Sequence, residues 1–364
     1  MASASKSRDP PLKAVLEDTV GTEIVIPSLK RLAPGWPLRQ HPGLELVRKD
    51  FNTWIDFWFK DERTRKGISE FAALEFAAMA WPEGGNTELL TLAKLVAWQF
   101  IWDDAIDDGY LSYKPEEIIA YRDQTIEISR ESMGGEQKAK LNPHPNPAIQ
   151  SFWDLGTEFW TRGVPEMNQY VLEEHCAFIN SSVQSQAERE YDEPVSVEQY
   201  LKRRETNIGF YVLQPLIHYS NKLAIPSRYL RYNNKRMAFI CSQLARMMVI
   251  ENDMLSLRKE LLNGQLENLI PLLMYHDKIG PQAAVDRATD MLHECYAMFN
   301  EEEEKLYSEI SPENINDVKQ YIRASKHPIM SNLYWSYGVK RYFKDDMRQE
   351  DGSMAFRISL GGDI

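Results

Sequence analysis

The stretch TLAKLVAWQFIWDDAIDDG, residues 91–109, is apolar on nearly every side until aspartates dominate its end. A long apolar run without proline or strand-like alternation predicts a buried helix, which we expect from about Thr87 to Gly109. The acidic positions that end this run are Asp103, Asp104, Asp107 and Asp108. The segment therefore predicts a core helix whose end carries concentrated negative charge.

Helical periodicity continues on both sides of this segment. Apolar residues recur at intervals of three and four from Leu44 onward, and a second helical pattern stops at Pro82. After a Gly/Pro/Asn-rich loop, further helical patterns follow at about 148–162, 165–190, 196–222, 227–263, 280–306, 313–324 and 328–343. Strand-like alternation is scarce and no repeat of fixed period appears, so the sequence predicts a single all-α domain.

The ends of the chain differ in composition from this domain. Residues 1–40 are rich in Pro, Ser and basic side chains, so we expect a poorly ordered arm before the fold begins. The predicted domain covers residues 41–345, and residues 346–364 are expected to be a C-terminal tail.

The composition narrows the classes of partner and compartment. The 364 residues carry a formal net charge of −12. Nucleic-acid binding requires an excess of Lys and Arg, so this charge argues against a nucleic-acid partner. The three cysteines are widely separated and suggest neither a zinc site nor a disulfide framework. No segment approaches the roughly 18 continuous apolar residues of a membrane span, and no apolar signal segment begins the chain. We therefore expect a cytoplasmic protein.

The acidic segment admits two interpretations. Acidic runs at helix ends are commonly solvated, and the runs at 300–305 and 344–351 of this chain are expected to be so. The first run differs because a bulky apolar stretch precedes it, and on a helix Asp103 and Asp107 share one face. Carboxylates at the rim of an apolar pocket suit Mg²⁺, which takes oxygen ligands completed by water and substrate phosphates.

A second polar group lies within ENDMLSLRKE, residues 251–260. Asn252, Ser256 and Glu260 recur every four residues, so on a helix they form one stripe about 12 Å long. All three offer hard oxygen donors, and asparagine is a poor helix former, which favours a ligand over an ordinary polar face. Lys259 adds a cation suited to an anionic ligand, with a surface lysine as the alternative.

These motifs together resemble class I terpene synthases of the microbial, particularly fungal, single-domain type. The D-D-x-x-D cluster at Asp103 is followed by N-D-x-x-S-x-x-K-E at 252–260. YLKRRETNIG at 200–209 matches the interrupted helix that carries the family's diphosphate-sensing arginine, and KRY at 340–342 matches its Arg-Tyr pair. The resemblance spans about residues 44–343 and implies the helical bundle of the isoprenoid synthases.

The resemblance implies a role for each residue of these motifs. Three Mg²⁺ ions would bind the ligands Asp103, Asp104, Asp107, Asn252, Ser256 and Glu260. The diphosphate would be contacted by Arg204 (with Arg203 as the alternative), Asn207, Ile208, Lys259, Arg341 and Tyr342. Metal ions and arginine forks stabilise a departing diphosphate, so catalysis would consist of ionisation, containment and quenching of a carbocation.

Containment requires a dry pocket with aromatic faces, each of which attracts a cation by about 1–2 kcal/mol. The aromatic candidates are Phe76, Trp98, Phe100, Trp102, Trp153 and Trp335, with an ordinary core position as the alternative for each. Trp335 is preferred because the family often has a cation-stabilising tryptophan shortly before the Arg-Tyr pair.

The implied reaction is Mg²⁺-dependent ionisation and cyclisation of an isoprenyl diphosphate to a sesquiterpene hydrocarbon or alcohol. Farnesyl diphosphate is favoured because a plant-type diterpene cyclase needs additional domains. Chain-elongating prenyl diphosphate synthases are the enzymatic alternative, although they carry two D-D-x-x-D clusters. A non-catalytic scaffold with an acidic docking site is the alternative from another class. The family often forms homodimers, while the role of Asp108 stays open.

Overall fold

Helices dominate the computed structural model, which describes residues 10–31, 35–36, 38–107, 111, 114–134, 143–188 and 193–361. The helices of these residues are α1 (Pro10–Glu17), α2 (Leu44–Trp58), α3 (Glu62–Phe71), α4 (Ala73–Ala80), α5 (Asn86–Asp107), α6 (Pro115–Met133), α7 (Pro147–Gln150), α8 (Phe152–Arg162), α9 (Pro165–Glu188), α10 (Val197–Asn207), α11 (Phe210–Leu213), α12 (Leu216–Asn221), α13 (Lys235–Leu262), α14 (Leu269–Asp277), α15 (Pro281–Glu309) and α16 (Ile315–Gly338). Two short strands, β1 (Glu23–Ile26) and β2 (Met354–Arg357), pair antiparallel. The all-α prediction is confirmed.

The centre of the bundle is α13. This 28-residue helix packs against α10, α14, α15 and α16. The first half of α13 has buried side chains on most of its sides, such as Ile240, Leu244 and Met247. For this reason its apolar pattern shows little amphipathic periodicity. Burial on several sides fixes the rotation of the helix, so its polar stripe near the C-terminal end has a defined direction.

The apolar helix α5 packs against α2, α4 and α8. Trp98 and Trp102, four residues apart, are fully buried on one face. Their indole N–H groups donate to the carbonyl oxygen of Ala148 and to the hydroxyl of Thr125. These bonds satisfy both buried donors and leave a different face of α5, one that includes Asp103, for the site described below.

The predicted poorly ordered arm is wrong for residues 10–31. These residues form α1, β1 and a 3-10 turn, and apolar side chains such as Leu16, Ile24 and Leu29 are buried among the helices. The predicted C-terminal tail likewise contributes β2, which pairs with β1. Both segments bury a few well-spaced apolar residues that the average composition of each segment conceals. Residues 1–9 lie outside the described residues.

The segments that follow β1 and precede β2 are hydrogen-bonded to the C-terminal end of α16. The backbone N–H of Leu29 donates to the Tyr337 hydroxyl at 3.1 Å, and that hydroxyl donates to the carbonyl oxygen of Pro27 at 3.1 Å. Arg348 donates to the backbone carbonyl of Tyr337 at 2.7 Å. These bonds fix the point where the chain leaves α16 for Arg341.

Other differences concern single helices. The sequence pattern gave no indication of α6 or α14, and α16 is one helix through Pro328 instead of two. The second predicted helix is interrupted at Ala72, which has φ of 53° and joins α3 to α4. No helix in the described part of the chain combines the length and apolarity that crossing a membrane requires.

Candidate active site

A cavity of about 300 Å³ lies between α5, α10, α13 and the C-terminal end of α16. Most of the predicted site residues line it. They are Phe76, Phe100, Asp103, Asp104, Arg203, Arg204, Asn207, Ile208, Asn252, Ser256, Lys259, Glu260, Trp335, Arg341 and Tyr342. Motifs that are far apart in the sequence therefore meet around one space.

The acidic wall of the cavity is the end of α5. Asp103 and Asp104 both line the cavity and are partly exposed. A guanidinium nitrogen of Arg341 lies 3.4 Å from Oδ1 of Asp104, so the turn after α16 reaches across to this wall. Asp107 closes the helix, but its side chain and the whole of Asp108 lie outside the described residues.

The opposite wall is the polar stripe of α13. Ser256 donates its hydroxyl to Oε1 of Glu260 at 2.7 Å, and the Asn268 amide donates to Oε2 of the same carboxylate at 2.9 Å. Oδ1 of Asn252 accepts a hydrogen bond from Arg204 at 3.1 Å. The oxygen-bearing side chains of all three stripe residues therefore lie on the face of α13 that lines the cavity, and these hydrogen bonds hold them in place.

Arg204 reaches this wall from the last turn of α10. It donates to Asn207 at 2.9 Å and lies 3.4 Å from Oδ1 of the buried Asp253. Burial by itself would lower the pKa of Arg204, but Tyr200, Asp253 and Glu260 outweigh burial and raise the pKa. The guanidinium therefore stays charged and faces the cavity with anionic support behind it.

The neighbouring arginine has a different partner. Arg203 forms an ion pair with Glu267 at 2.5 Å on the segment after α13. Arg204, in contrast, contacts the α13 stripe itself, which favours it over Arg203 as the sensor. The helix ends at Asn207, and Gly209 has φ of 90°, a conformation that glycine adopts without steric cost. The predicted break after the arginine is present.

Tyr342 completes the polar end of the cavity. Burial raises the pKa of its hydroxyl to about 12, against the opposing effects of Arg341 and a hydrogen bond with Asn252. The hydroxyl therefore keeps its proton at neutral pH and is available as a donor.

The central part of the chain matches a known family. Residues 94–297 match the family described as terpene synthase family 2, C-terminal metal binding. The match covers more than half of the chain and contains Asp103, Arg204 and the α13 stripe. The chain belongs to this terpene synthase family.

Individual relatives of this terpene synthase include fungal cyclases. Terpene cyclase braA of Annulohypoxylon truncatum is 29% identical over 340 residues, covering 91% of this chain and 89% of the relative. Sesquiterpene cyclase hepA of Aspergillus oryzae is 24% identical, covering 92% and 93%. Wild-type cucumene synthase has a similar fold, with a TM-score of 0.69 at 17% identity, covering 84% of this chain and 99% of that structure. The terpene synthase fold, the enzyme class and terpene cyclisation agree with the sequence predictions.

Three of the six aromatic residues predicted for the terpene synthase cavity line it. Trp335 lies near Phe76, Phe100 and Tyr342, with ring centroids 5.7–5.9 Å apart. Its indole N–H donates to the carbonyl oxygen of Phe71, which holds the ring. Trp335, Phe76 and Phe100 therefore lie together beside the cavity.

Three aromatic predictions are wrong. Trp98, Trp102 and Trp153 are core residues and do not line the cavity. The ring of Trp98 packs in the interior against Phe152 and His175, and the indole N–H of Trp102 donates to the hydroxyl of Thr125. For Trp98 and Trp102, proximity to the aspartates in sequence misled the prediction, because a helix turns neighbouring residues to different faces. Trp153 lies on α8 and is 8% exposed in the core.

Sequence reasoning also missed cavity residues that helical spacing indicates. The missed residues one or two turns from a motif are Val96, Gln99, Tyr200, Met248 and Asn332, and Phe178 on α9 joins them. Val96 and Gln99 lie seven and four residues before Asp103, and Met248 lies four before Asn252. Counting back along the motif face would have identified these positions.

The oxygen-bearing side chains of α5 and α13 that line the cavity suit a divalent metal, and the matched family implies the use of such a metal. Carboxylate, amide and hydroxyl oxygens are the hard ligands that Mg²⁺ prefers. Within the described residues, no three His, Cys, Asp or Glu side chains form one metal-binding group. The donors are instead divided between α5 and α13, an arrangement that leaves coordination to be completed by water and by the phosphates of a substrate.

Proposed function

We propose that this terpene synthase uses Mg²⁺ to ionise and cyclise farnesyl diphosphate, releasing diphosphate and a sesquiterpene. The observation that carries this proposal is the opposition of Asp103 on α5 to the Asn252, Ser256 and Glu260 stripe on α13, across one cavity that continues into an aromatic pocket. Relatives whose names specify a sesquiterpene cyclase, such as hepA, support the fifteen-carbon substrate.

The metal ligands divide into two sets. Asp103 and Asp104 would hold Mg²⁺ on one wall, together with Asp107, and Asn252, Ser256 and Glu260 would hold it on the other. Bound there, Mg²⁺ would neutralise the negative charge that develops on the departing diphosphate. We expect three ions, as the family resemblance implies.

The protein's own cations act on the same leaving group. Arg204 and Arg341 can each bind phosphate oxygens through a planar fork, and Lys259 supplies a point charge. Both arginines already lie close to opposite metal-binding walls, at Asn252 and Asp104. Tyr342 donates its hydroxyl, so the diphosphate is oriented before the carbon–oxygen bond breaks.

The hydrocarbon chain then lies among apolar side chains. Trp335, Phe76 and Phe100 present aromatic faces to the cation, and their close packing excludes bulk water. Asn207 and Ile208, at the end of α10, line the cavity beside the diphosphate-binding arginine. A cytoplasmic location and a homodimer stay predictions from the sequence.

The first test is product analysis. Purified protein is incubated with farnesyl diphosphate, with and without Mg²⁺, and a pentane extract is separated by gas chromatography with mass spectrometry. A Mg²⁺-dependent fifteen-carbon terpene is the expected result. Longer prenyl diphosphates formed after addition of isopentenyl diphosphate would replace the proposal with chain elongation, and no product from ten-, fifteen- or twenty-carbon substrates would contradict both.

Two variants test the metal assignment. Asp103→Asn and Asn252→Ala should each reduce turnover by at least about a hundredfold, as is common when a group that stabilises the transition state is lost, without changing the circular dichroism spectrum. Asp345→Asn is the matched control because it removes an exposed carboxylate from another acidic run. Near-normal turnover by both site variants would reject the assignment.

A further inference from the structure

The chain turns back on itself where α13 ends. Gly264 has φ of 72°, a left-handed conformation that glycine adopts without steric cost, and the backbone N–H of Gln265 donates to the carbonyl oxygen of Glu260 at 2.9 Å. Residues 263–267 of this turn line the cavity. The reversal brings Asn268, eight residues after Glu260 in sequence, to the carboxylate of Glu260.

Asn268 uses its whole amide group inside the protein. Its Nδ2 donates to Oε2 of Glu260 at 2.9 Å and to the backbone carbonyl oxygen of Asp253 at 2.8 Å. Its Oδ1 accepts a hydrogen bond from the backbone N–H of Ile270 at 2.9 Å, which caps the N-terminus of α14. The residue is 0% exposed and does not line the cavity. It therefore supports Glu260 without entering the space that a substrate would occupy.

The cap of α14 does not by itself require an amide. Serine and aspartate accept the same backbone hydrogen bond at the start of a helix, with a similar gain in stability. Among short side chains, only asparagine adds two N–H donors to that acceptor. Both donors of Asn268 bond to α13, so its contacts with this helix explain the residue type and the cap does not.

The carboxylate of Glu260 is held at both of its oxygens. Ser256 donates its hydroxyl to Oε1 at 2.7 Å, and Asn268 donates to Oε2. An ionised carboxylate offers about four lone-pair positions, so two donors fix its rotation and leave about two positions for a metal ion. Ser256 gives its proton to Glu260 and keeps its own lone pairs. The hydrogen bonds are therefore compatible with the proposed ligand role of both residues.

We propose that Asn268 is a positioning residue that sets the affinity of the α13 wall for Mg²⁺ by fixing the carboxylate of Glu260. The inference rests on the proposed role of Glu260 as a metal ligand. A mobile glutamate loses rotamer freedom when it binds a metal, whereas a carboxylate that is already fixed has lost this freedom on folding. Removing a hydrogen-bond partner behind a metal ligand commonly weakens metal binding about 10- to 100-fold.

Asn268→Ser tests this role, because serine keeps an acceptor for the cap of α14 and lacks the amide that bonds to Glu260. The full-length protein is studied by differential scanning fluorimetry at a fixed concentration of inorganic diphosphate and increasing Mg²⁺, so no turnover occurs. The Mg²⁺ midpoint, the concentration that gives half of the rise in melting temperature, should increase about 10- to 100-fold. In steady-state assays with farnesyl diphosphate, saturating Mg²⁺ should restore kcat, because the ligand itself is retained.

The matched control is Asn234→Ser. Asn234 caps α13 by accepting the backbone N–H of Met237 at 3.0 Å and does not line the cavity. This variant makes the same substitution at another helix cap, so its Mg²⁺ midpoint should stay within about twofold of the parent value, the usual scatter for an independent site.

A double-mutant cycle with Glu260→Asp shows whether Asn268 acts through Glu260. Aspartate keeps a carboxylate but withdraws it by one methylene from Asn268, so the Mg²⁺ midpoint should rise and stay measurable. In this background Asn268→Ser should change the midpoint by less than about twofold, because the contact is already broken. A full 10- to 100-fold effect in this background would mean that Asn268 acts through α14 or Asp253, and would overturn the inference.

The remaining outcomes separate the inference from the metal assignment. An unchanged Mg²⁺ midpoint in Asn268→Ser, beside a raised midpoint in Glu260→Asp, would overturn the inference and leave Glu260 as a ligand. An unchanged midpoint in both variants would overturn both. If Asn268→Ser does not fold, Asn268→Asp takes its place, since it keeps the size and the cap and, ionised at the helix N-terminus, offers Glu260 no proton. Its midpoint should rise in the same way.

Discussion

Asp253 supports Arg204, the proposed diphosphate sensor, from the buried side of the cavity wall. Its carboxylate is 1% exposed, accepts the Tyr200 hydroxyl at 2.6 Å and the Leu269 backbone N–H at 3.0 Å, and lies 3.4 Å from Arg204. Burial raises the pKa of Asp253, and the charge of Arg204 opposes that rise. The carboxylate thus positions Arg204 and joins α10 to α13 and α14.

Asp253→Asn should lower both stability and turnover. The variant keeps the shape of the side chain but leaves the guanidinium of Arg204 without its buried counter-charge, a loss of about 3 kcal/mol in the free energy of unfolding. We expect a raised KM for the diphosphate substrate as well as a reduced kcat. Urea unfolding and steady-state kinetics measure the two effects.

Tyr200→Phe is the matched comparison for this prediction. It removes one hydrogen bond to Asp253 and retains the charge pair with Arg204, so unfolding should become easier by only about 1 kcal/mol. Equal effects of the two substitutions on KM would mean that Asp253 acts through general packing and does not position Arg204.

His175 makes stability depend on pH. Burial between Phe152 and Trp98 lowers the pKa of this ring from 6.5 to about 3. Below about pH 6.5 this histidine therefore binds a proton in the unfolded chain but not in the folded chain. Its contribution to the free energy of unfolding is fully present above that pH and is lost as the pH falls toward 3. Going from about pH 7.5 to about pH 5 should cost about 2 kcal/mol through this ring.

The histidine prediction is tested by His175→Gln. Chemical unfolding at the two pH values should show a stability loss about 2 kcal/mol smaller than in the parent, even though the lost ring packing weakens the variant at neutral pH. His293→Gln replaces an exposed ring and should follow the parent. A parallel pH dependence for His175→Gln would show that other groups control acid unfolding.

At the scale of elements, α1 is part of the folded bundle. It packs against α14 and buries Leu16 to 1% exposure, whereas Val20, just beyond the helix, is 45% exposed. Leu16→Ala should therefore reduce the free energy of unfolding by about 2–5 kcal/mol. Val20→Ala should change it by less than about 0.5 kcal/mol. Equal, small effects in urea unfolding would restore the interpretation of a poorly ordered arm.

Helices with a regular apolar stripe could be predicted from the sequence, and α6 shows why others could not. Its buried face includes Thr125, Ser129 and Ser132, whose hydroxyls donate to backbone carbonyls of the same helix. These bonds satisfy polar groups inside the core, so the face is buried without being apolar. Ile119, in turn, is 46% exposed. Hydrophobic periodicity is therefore a poor guide to this element.

The cavity faces were harder to predict than the motifs. The proposed metal ligands Asn252 and Ser256 are related by spacing within one helix, so the sequence alone aligns them. In α5, by contrast, apolar side chains surround the helix, and no periodicity distinguishes the face of Trp98 from the face of Gln99. Only the packing of neighbouring helices decides which face meets the cavity, and for the same reason Trp98 was wrongly predicted.

At the scale of the whole molecule, the site depends on parts of the chain that are far apart in sequence. The contact of Arg341 with Asp104 joins the turn after α16 to α5, and that turn is followed by the strand that pairs with β1. Such long-range approaches have no local signature. The sequence indicated them through resemblance to a family, because motifs that share one site must meet in the folded chain.

This division of the site between helices predicts how the protein responds to ligands. Inorganic diphosphate with Mg²⁺ should bridge the α5 and α13 walls, and any ligand that binds the folded state alone stabilises it by mass action. At about a hundred times its dissociation constant the pair should add about 2.7 kcal/mol, which raises the melting temperature by roughly 2–4 °C for a chain of this size.

Each component alone should give a much smaller shift, because the donors on either wall leave metal coordination to be completed by phosphate oxygens. Differential scanning fluorimetry with Mg²⁺, diphosphate and both together measures the three cases without any turnover. Asp103→Asn should abolish the joint shift and Asp345→Asn should retain it. An equal shift from diphosphate alone would mean that Arg204, Lys259 and Arg341 bind the anion without metal. That result would contradict the proposal that Mg²⁺ joins the α5 and α13 walls.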